Sequence, residues 1–151
     1  MKKILFVCTG NICRSAMAHH YMQEKVKEIG IQNEYLIDSC GIYATTGDKS
    51  TSNAIAVMKK YNVSLEKHRA TNIYDVNIDD YDLIICMTLQ HKQAIMYAFP
   101  SVKEKVFTLK EYVYNNAPDI DTKDPWGYGL DEYERCSKEI VCCIDKLIEK
   151  F

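Results

Sequence analysis

Eight consecutive residues, Cys8-Thr9-Gly10-Asn11-Ile12-Cys13-Arg14-Ser15, have the types and spacing for chemistry on an anion. They follow a short apolar run and precede residues at helical spacing, so they are predicted to lie where a strand ends and a helix begins. A helix N-terminus carries unpaired N–H groups and about half a positive charge. A loop of small residues entering it, Thr9 to Cys13, can curl into a nest of backbone N–H groups that cradles phosphate oxygens. Asn11 tolerates the left-handed backbone that such a nest needs. Arg14 adds a fork of donors matched to two oxygens. Donors, dipole and guanidinium all favour a charged sulfur, so Cys8 is expected to be a thiolate nucleophile aimed at the centre of a bound oxyanion. Ser15 can cap the helix or donate to that sulfur. The bland alternative is a small thiol packed at a strand end; the flanking strand and helix favour the chemistry.

A nucleophile alone is not enough. Displacing an alkoxide or phenolate from phosphorus calls for a proton donor at the leaving oxygen. Asp119, Asp121 and Asp124 lie in a loop-like stretch before the last helical pattern, and Asp124-Pro125-Trp126-Gly127-Tyr128-Gly129 stands out. Proline restricts the backbone after Asp124, and the aromatics offer flat apolar surface. The local alternative is a solvated Asp-Pro turn.

The elements that must position these groups alternate. Lys3 to Cys8 reads as a strand buried on both faces. Met17, Tyr21, Met22, Val26 and Ile29 mark a helical stripe stopped by Gly30. Tyr35 to Ser39 reads as a second strand and Ser50 to Tyr61 as a second helix, with Ile55 and Met58 inward. Tyr81 to Met87 is the strongest strand pattern. Thr88 to Phe99 is a third helix, capped by Thr88 and ended before Pro100. Val106 to Leu109 is a short fourth strand. Leu130, Tyr133, Ile140, Ile144, Leu147 and Phe151 stripe a long last helix. Alternating strands and helices imply an α/β fold: a four-stranded parallel, doubly wound sheet with helices on both faces. The phosphate-binding loop after the first strand then lies beyond the strands' carboxyl ends, where such folds place ligands. One domain over residues 1–151 is expected, without repeat or linker.

Composition agrees. The chain has 151 residues, 47% apolar and 26% charged, with net charge −2. No global basic field suggests nucleic acid as a partner. No apolar run approaches the ~20 residues of a membrane span, and the N-terminal run is too short for a signal peptide. A soluble, cytoplasmic protein without membrane partner is the expectation, with a monomer as default. Seven cysteines is an odd number, against a secreted disulfide framework. Cys86, Cys136, Cys142 and Cys143 read as buried free thiols.

Together these residues resemble the low-molecular-weight protein tyrosine phosphatase family. The resemblance spans essentially the whole chain. It includes the Cys-x5-Arg-Ser loop after the first strand, Asp38-Ser39, His68-Arg69-Ala70, Ile85-Cys86-Met87 and the late Asp-Pro-aromatic. It implies Cys8 as nucleophile, Arg14 as phosphate binder and Asp124 as general acid and then base, acting on a phosphotyrosine-containing protein or peptide. It further implies that Asn11, Ser15, Ser39 and His68 support the loop, and that Cys13 can form a reversible disulfide with Cys8. A low-pKa thiolate is oxidation-prone and a neighbouring thiol traps it. No cofactor or metal is expected, because the nest and the guanidinium do the electrostatic work. Trp126 is the better candidate for an aromatic pocket wall; Tyr128 and Tyr43 are further ones. Ala16, His19 and Thr88 depart from the usual family pattern, which leaves the natural substrate open.

Three other readings compete. A thiol-dependent arsenate reductase shares the fold but needs a cysteine relay after the third strand, and no cysteine occurs between Cys86 and Cys136. A phosphocysteine carrier needs neither Arg14 nor Asp124. A zinc module built from Cys8, Cys13 and His19 or His20 lacks standard knuckle spacing.

Overall fold

The computed structural model describes residues 1–151. Four strands, β1 (Lys2–Cys8), β2 (Tyr35–Gly41), β3 (Leu83–Cys86) and β4 (Val106–Thr108), form one sheet in the order β2-β1-β3-β4. All pairings are parallel. Five α-helices complete the chain: α1 (Arg14–Glu28), α2 (Ser52–Met58), α3 (Leu89–Ala98), α4 (Leu109–Val113) and α5 (Leu130–Glu149). The fold is therefore the expected doubly wound α/β sheet.

Burial on both faces follows from the strand alternation. Ile4, Phe6 and Cys8 of β1 join α1, α2 and α5 in the larger core. Leu5 and Val7 point the other way, into a smaller core with Ile95 of α3, Ile73, Ile78 and Val102. At ~25 cal/mol per Å² of apolar area, each fully buried Leu or Ile stabilises by about 1.5–3 kcal/mol. Strand order reverses at β1, so the chains leaving β1 and β3 diverge and open a crevice beyond their C-terminal ends. Cys8 is the last residue of β1 and stands at that crevice.

Several sequence expectations shift. The second helix splits into α2 and a 3-10 turn over Lys59–Tyr61. β3 shortens to Leu83–Cys86. The short α4 was not anticipated, although Thr108 and Glu111 form a capping box that announces it. Ile29, Leu130 and Phe151 are exposed because each sits at or beyond a helix end; Phe151 stacks on Tyr35. Cys142 is exposed on the outer face of α5, whereas Cys86, Cys136 and Cys143 are buried free thiols as expected. No helix is long and apolar enough to cross a membrane.

Candidate active site

The loop after β1 is held from outside through its carbonyls. Ile42 N–H donates to Cys8 O (3.0 Å), Tyr43 N–H to Thr9 O (2.9 Å) and Thr51 N–H to Ile12 O (3.1 Å). β2 approaches so closely that a Cβ on Gly41 would lie 2.5 Å from Thr9 O and 2.9 Å from the Asn11 nitrogen. Only glycine fits there. Asn11 has φ 55°, the left-handed conformation expected of it.

Asn11 is also the hub of the loop. Its Nδ2 donates to Ser15 Oγ (2.8 Å), its Oδ1 accepts from Thr71 N–H (3.0 Å), and its carbonyl accepts from His68 Nε2 (2.8 Å). Because Ser15 Oγ accepts from Asn11, its own proton can go to Cys8 Sγ, 2.9 Å away, with the Cys40 carbonyl a longer competitor at 3.5 Å. The Asn11 N–H donates to the same sulfur at 3.3 Å. Of the two roles expected for Ser15, the structure has the sulfur contact; no side chain caps α1.

Arg14 is only 3% exposed. Its Nη1 donates to Thr122 O (2.9 Å), and its Nη2 lies 3.4 Å from both Thr9 Oγ1 and Asp124 Oδ2. The buried Nε has no partner. A buried guanidinium with an unmet N–H is costly unless an acceptor arrives, and an anion in the crevice supplies one. Asp124 is half-exposed and accepts the Trp126 N–H at 3.0 Å. Cys13 Sγ lies 3.9 Å from Asp124 Oδ1. Burial, followed by the nearby Cys8 and Asp124, pushes the Cys13 thiol well up, so it stays protonated.

Cys8, Thr9, Gly10, Ile12, Cys13 and Arg14 line one cavity of about 210 Å³ together with Asp124 and Trp126. The structure thus brings the three residues read as catalytic into one crevice. A larger, open depression of about 680 Å³ between α4 and α5 contains none of these groups.

Three of the expected residues lie outside the Cys8 cavity. Tyr43 is 82% exposed and faces an apolar groove beside Tyr74 and Tyr97. Its backbone N–H holds the loop at Thr9 O. Tyr128 is exposed and outside the lining, after a turn in which Gly127 has φ 87°. Ser39 does not reach the loop; its hydroxyl lies 2.7 Å from His19 Nδ1.

Sequence reasoning missed two residues of this layer. His91 Nε2 lies 2.8 Å from Thr9 Oγ1. Burial, then the Arg14 charge, holds the His91 pKa down at about 4, so the ring is neutral. Thr122 positions Arg14 through its carbonyl and is itself pinned by its N–H to Met87 O (2.7 Å). The one available signal for His91 was its place in the first turn after the Thr88 cap, at the carboxyl edge of β3. His19 and His20 face His68 rather than Cys13, so the zinc set considered from spacing does not assemble.

A cysteine at a phosphate-cradling loop, a buried arginine beneath it and an aspartate across the opening define a cysteine-based phosphatase site on a doubly wound sheet. The comparisons agree. A profile described as low molecular weight phosphotyrosine protein phosphatase matches residues 3–151. The chain belongs to this family. It is 35% identical to a protein-arginine-phosphatase of Geobacillus stearothermophilus, covering 98% of this chain and 95% of that one. It is 32% identical to the low molecular weight protein-tyrosine-phosphatase PtpB of Staphylococcus epidermidis, over 96% of each chain. Among solved structures it is similar to the low molecular weight protein tyrosine phosphatase of T. tengcongensis, with TM-score 0.91, 35% identity and 100% of both chains covered.

Proposed function

We propose that the protein hydrolyses phosphotyrosine in proteins or peptides, and small aryl phosphates, through a phosphocysteine intermediate. The observation that carries this is the convergence of the donor-ringed Cys8 sulfur, the unpartnered Arg14 Nε and Asp124 on one 210 Å³ cavity. The phosphoryl group sits in the nest of Thr9 to Ser15, with two oxygens on Arg14. The Cys8 thiolate attacks phosphorus in line; the S–P bond forms as the P–O bond to the phenol breaks. Asp124 gives its proton to the departing phenolate. Asp124 then takes a proton from water, whose oxygen attacks phosphorus, and the S–P bond breaks to return thiolate and phosphate. Loop N–H groups and Arg14 hold the equatorial oxygens, where transition-state charge gathers. Asn11, Ser15 and His68 keep the loop in shape.

The walls support an aryl leaving group. Ile12 and Trp126 present apolar surface to it, and Asp124 is the one carboxylate in the lining. The arginine-phosphatase relative motivates a second reading, phosphoarginine, with Asp124 protonating the departing guanidine nitrogen. Hydrolysis of phosphotyrosine, phosphoarginine and phosphoserine peptides in EDTA separates the two. The expected result is a kcat/KM for phosphotyrosine at least about tenfold above the others, the order an apolar wall supplies. A preference for phosphoarginine overturns the substrate and keeps the cysteine chemistry. Cys8→Ser abolishes turnover while phosphate binding stays measurable. Cys13 is the resolving thiol under oxidation: peroxide-treated protein gives a Cys8–Cys13 disulfide by mass spectrometry. Sulfinic acid on Cys8 without that link overturns the role.

A further inference from the structure

Behind the nucleophile loop, His19, His20 and His68 each place a ring nitrogen within 4.8 Å of the other two. His19 stacks on His20 with ring centroids 4.1 Å apart, and His68 meets His20 edge-on at 4.9 Å. No carboxylate is within hydrogen-bond distance of any of them; their partners are Ser39, the Asn11 carbonyl and one another. The proposed phosphatase chemistry uses only the His68 contact to Asn11.

Hydrogen bonding decides where the protons are. A carbonyl only accepts, so His68 carries its proton on Nε2, toward Asn11 O, and has a lone pair on Nδ1. That lone pair accepts from His20 Nε2 at 2.8 Å. His19 engages Ser39 through Nδ1 and leaves Nε2 without a protein partner. Burial holds all three imidazoles below their usual pKa, so they are neutral at pH 7.

We propose that His19, His20 and His68 form a binding site for a divalent first-row transition ion, Zn²⁺ being the best match. Three neutral imidazoles are the ligand set such ions favour. The ion takes the place of the proton between His20 Nε2 and His68 Nδ1, and that proton moves to His20 Nδ1. Three N–Zn bonds form with no net proton release. With Zn–N of about 2.0–2.1 Å, tetrahedral ligands stand about 3.3 Å apart. The 2.8 Å pair therefore opens by about half an ångström, and the His19 ring tilts out of its stack to close the set. Two of the three outer nitrogens are already served. The Asn11 carbonyl holds His68 Nε2–H and Ser39 Oγ holds His19 Nδ1, the outer contacts that orient metal-bound histidines. An open cavity of about 520 Å³ shared with Asp38 and Asp75 admits water as a fourth ligand. Lys67 and Arg69 border the same cavity and oppose the charge. The site is separate from Cys8 and joined to its loop through the His68–Asn11 bond.

The test uses the EDTA-stripped, desalted protein and does not depend on any substrate. Co²⁺ titration is expected to give one equivalent bound, with visible d–d absorption and no sulfur-to-cobalt charge-transfer band, displaced by one equivalent of Zn²⁺. Zn²⁺ at about a hundredfold above its Kd raises Tm by roughly 5–10 °C. His20→Ala and His19→Gln each weaken binding at least about tenfold, and Ser39→Ala about tenfold, as loss of an outer contact does. A sulfur charge-transfer band would place the ion on Cys8 and Cys13 and overturn the proposal. So would no binding, or unchanged affinity in His19→Gln, whose half-buried position on α1 makes it the substitution to rely on if His20→Ala does not fold.

Discussion

Between Cys8 and Ser15, side chains and carbonyls are bonded to the residues just after β2, to Thr51 at the cap of α2 and to the segment around His68 and Thr71. Between Asp124 and Gly129, the bonds that shape the turn are local, Trp126 N–H to Asp124 and Tyr128 N–H to Pro125 O, and the Asp124 carboxylate alone reaches across, to Arg14 and Cys13. One region is buried and cross-braced from distant parts of the chain, and the other is exposed and held by its own turn. The difference suits the tasks proposed for the two regions. Charge stabilisation on phosphorus is strong only when the donors are already oriented and need not reorganise. A general acid must serve a leaving group and then a water, and must let substrate in. Exposure costs it little.

Removing the proposed acid, Asp124, should give the largest effect on turnover with the least on the fold. Asp124→Ala should lower kcat about 10²–10⁴-fold with aryl phosphates and change stability by about 1 kcal/mol or less, the worth of a half-exposed ion pair. A loss below about threefold on a poor leaving group would exclude Asp124 as the acid. The braced loop should respond in the opposite way. Asn11→Ala strands the Thr71 N–H, frees Ser15 and puts alanine at φ 55°, which should cost about 2–3 kcal/mol in urea unfolding. Unchanged stability would mean that the bracing is not what holds the loop.

Acid should distinguish the regions as well, because neutral histidines lie behind the loop and none lies in the Asp124 turn. His20 and His91 have pKa values of about 4, mainly through burial, against 6.5 when free. The unfolded chain therefore takes up their protons first. Their contribution is full above pH 6.5 and is lost as pH falls toward 4. For buried His91 it is on the order of 3 kcal/mol. Tm should fall over that window, and less steeply in His91→Gln; identical slopes would break the assignment. The smallest effect concerns the rim. Trp126→Ala should raise KM for aryl phosphates about 3–10-fold, the worth of one aromatic contact. Tyr43→Ala and Tyr128→Ala should leave it within about twofold, and a larger rise in either would restore that ring to the pocket.

Cys8, Arg14 and Asp124, which share one cavity, could be singled out as candidates because each is marked by its immediate neighbours: a strand before the cysteine, a helix after the arginine, a proline after the aspartate. The sheet was readable for the same reason, since Ile4 to Val7 and Leu83 to Cys86 are buried on both faces and carry continuous apolar runs. Thr122, His91, His19 and His20 carry no such mark. Thr122 acts through a carbonyl that every residue possesses, and His91 matters only because α3 sets it against Thr9.

Local order along the chain determined the strand-loop-helix unit, the anion nest and the residue types that enter it, because backbone periodicity and φ preferences act over a few neighbours. Which aromatic borders the opening, what braces Asn11 and which rings gather at His68 depended on segments dozens of residues apart. Their contacts come from the twist and order of the sheet, a property of the packed whole that no short stretch encodes.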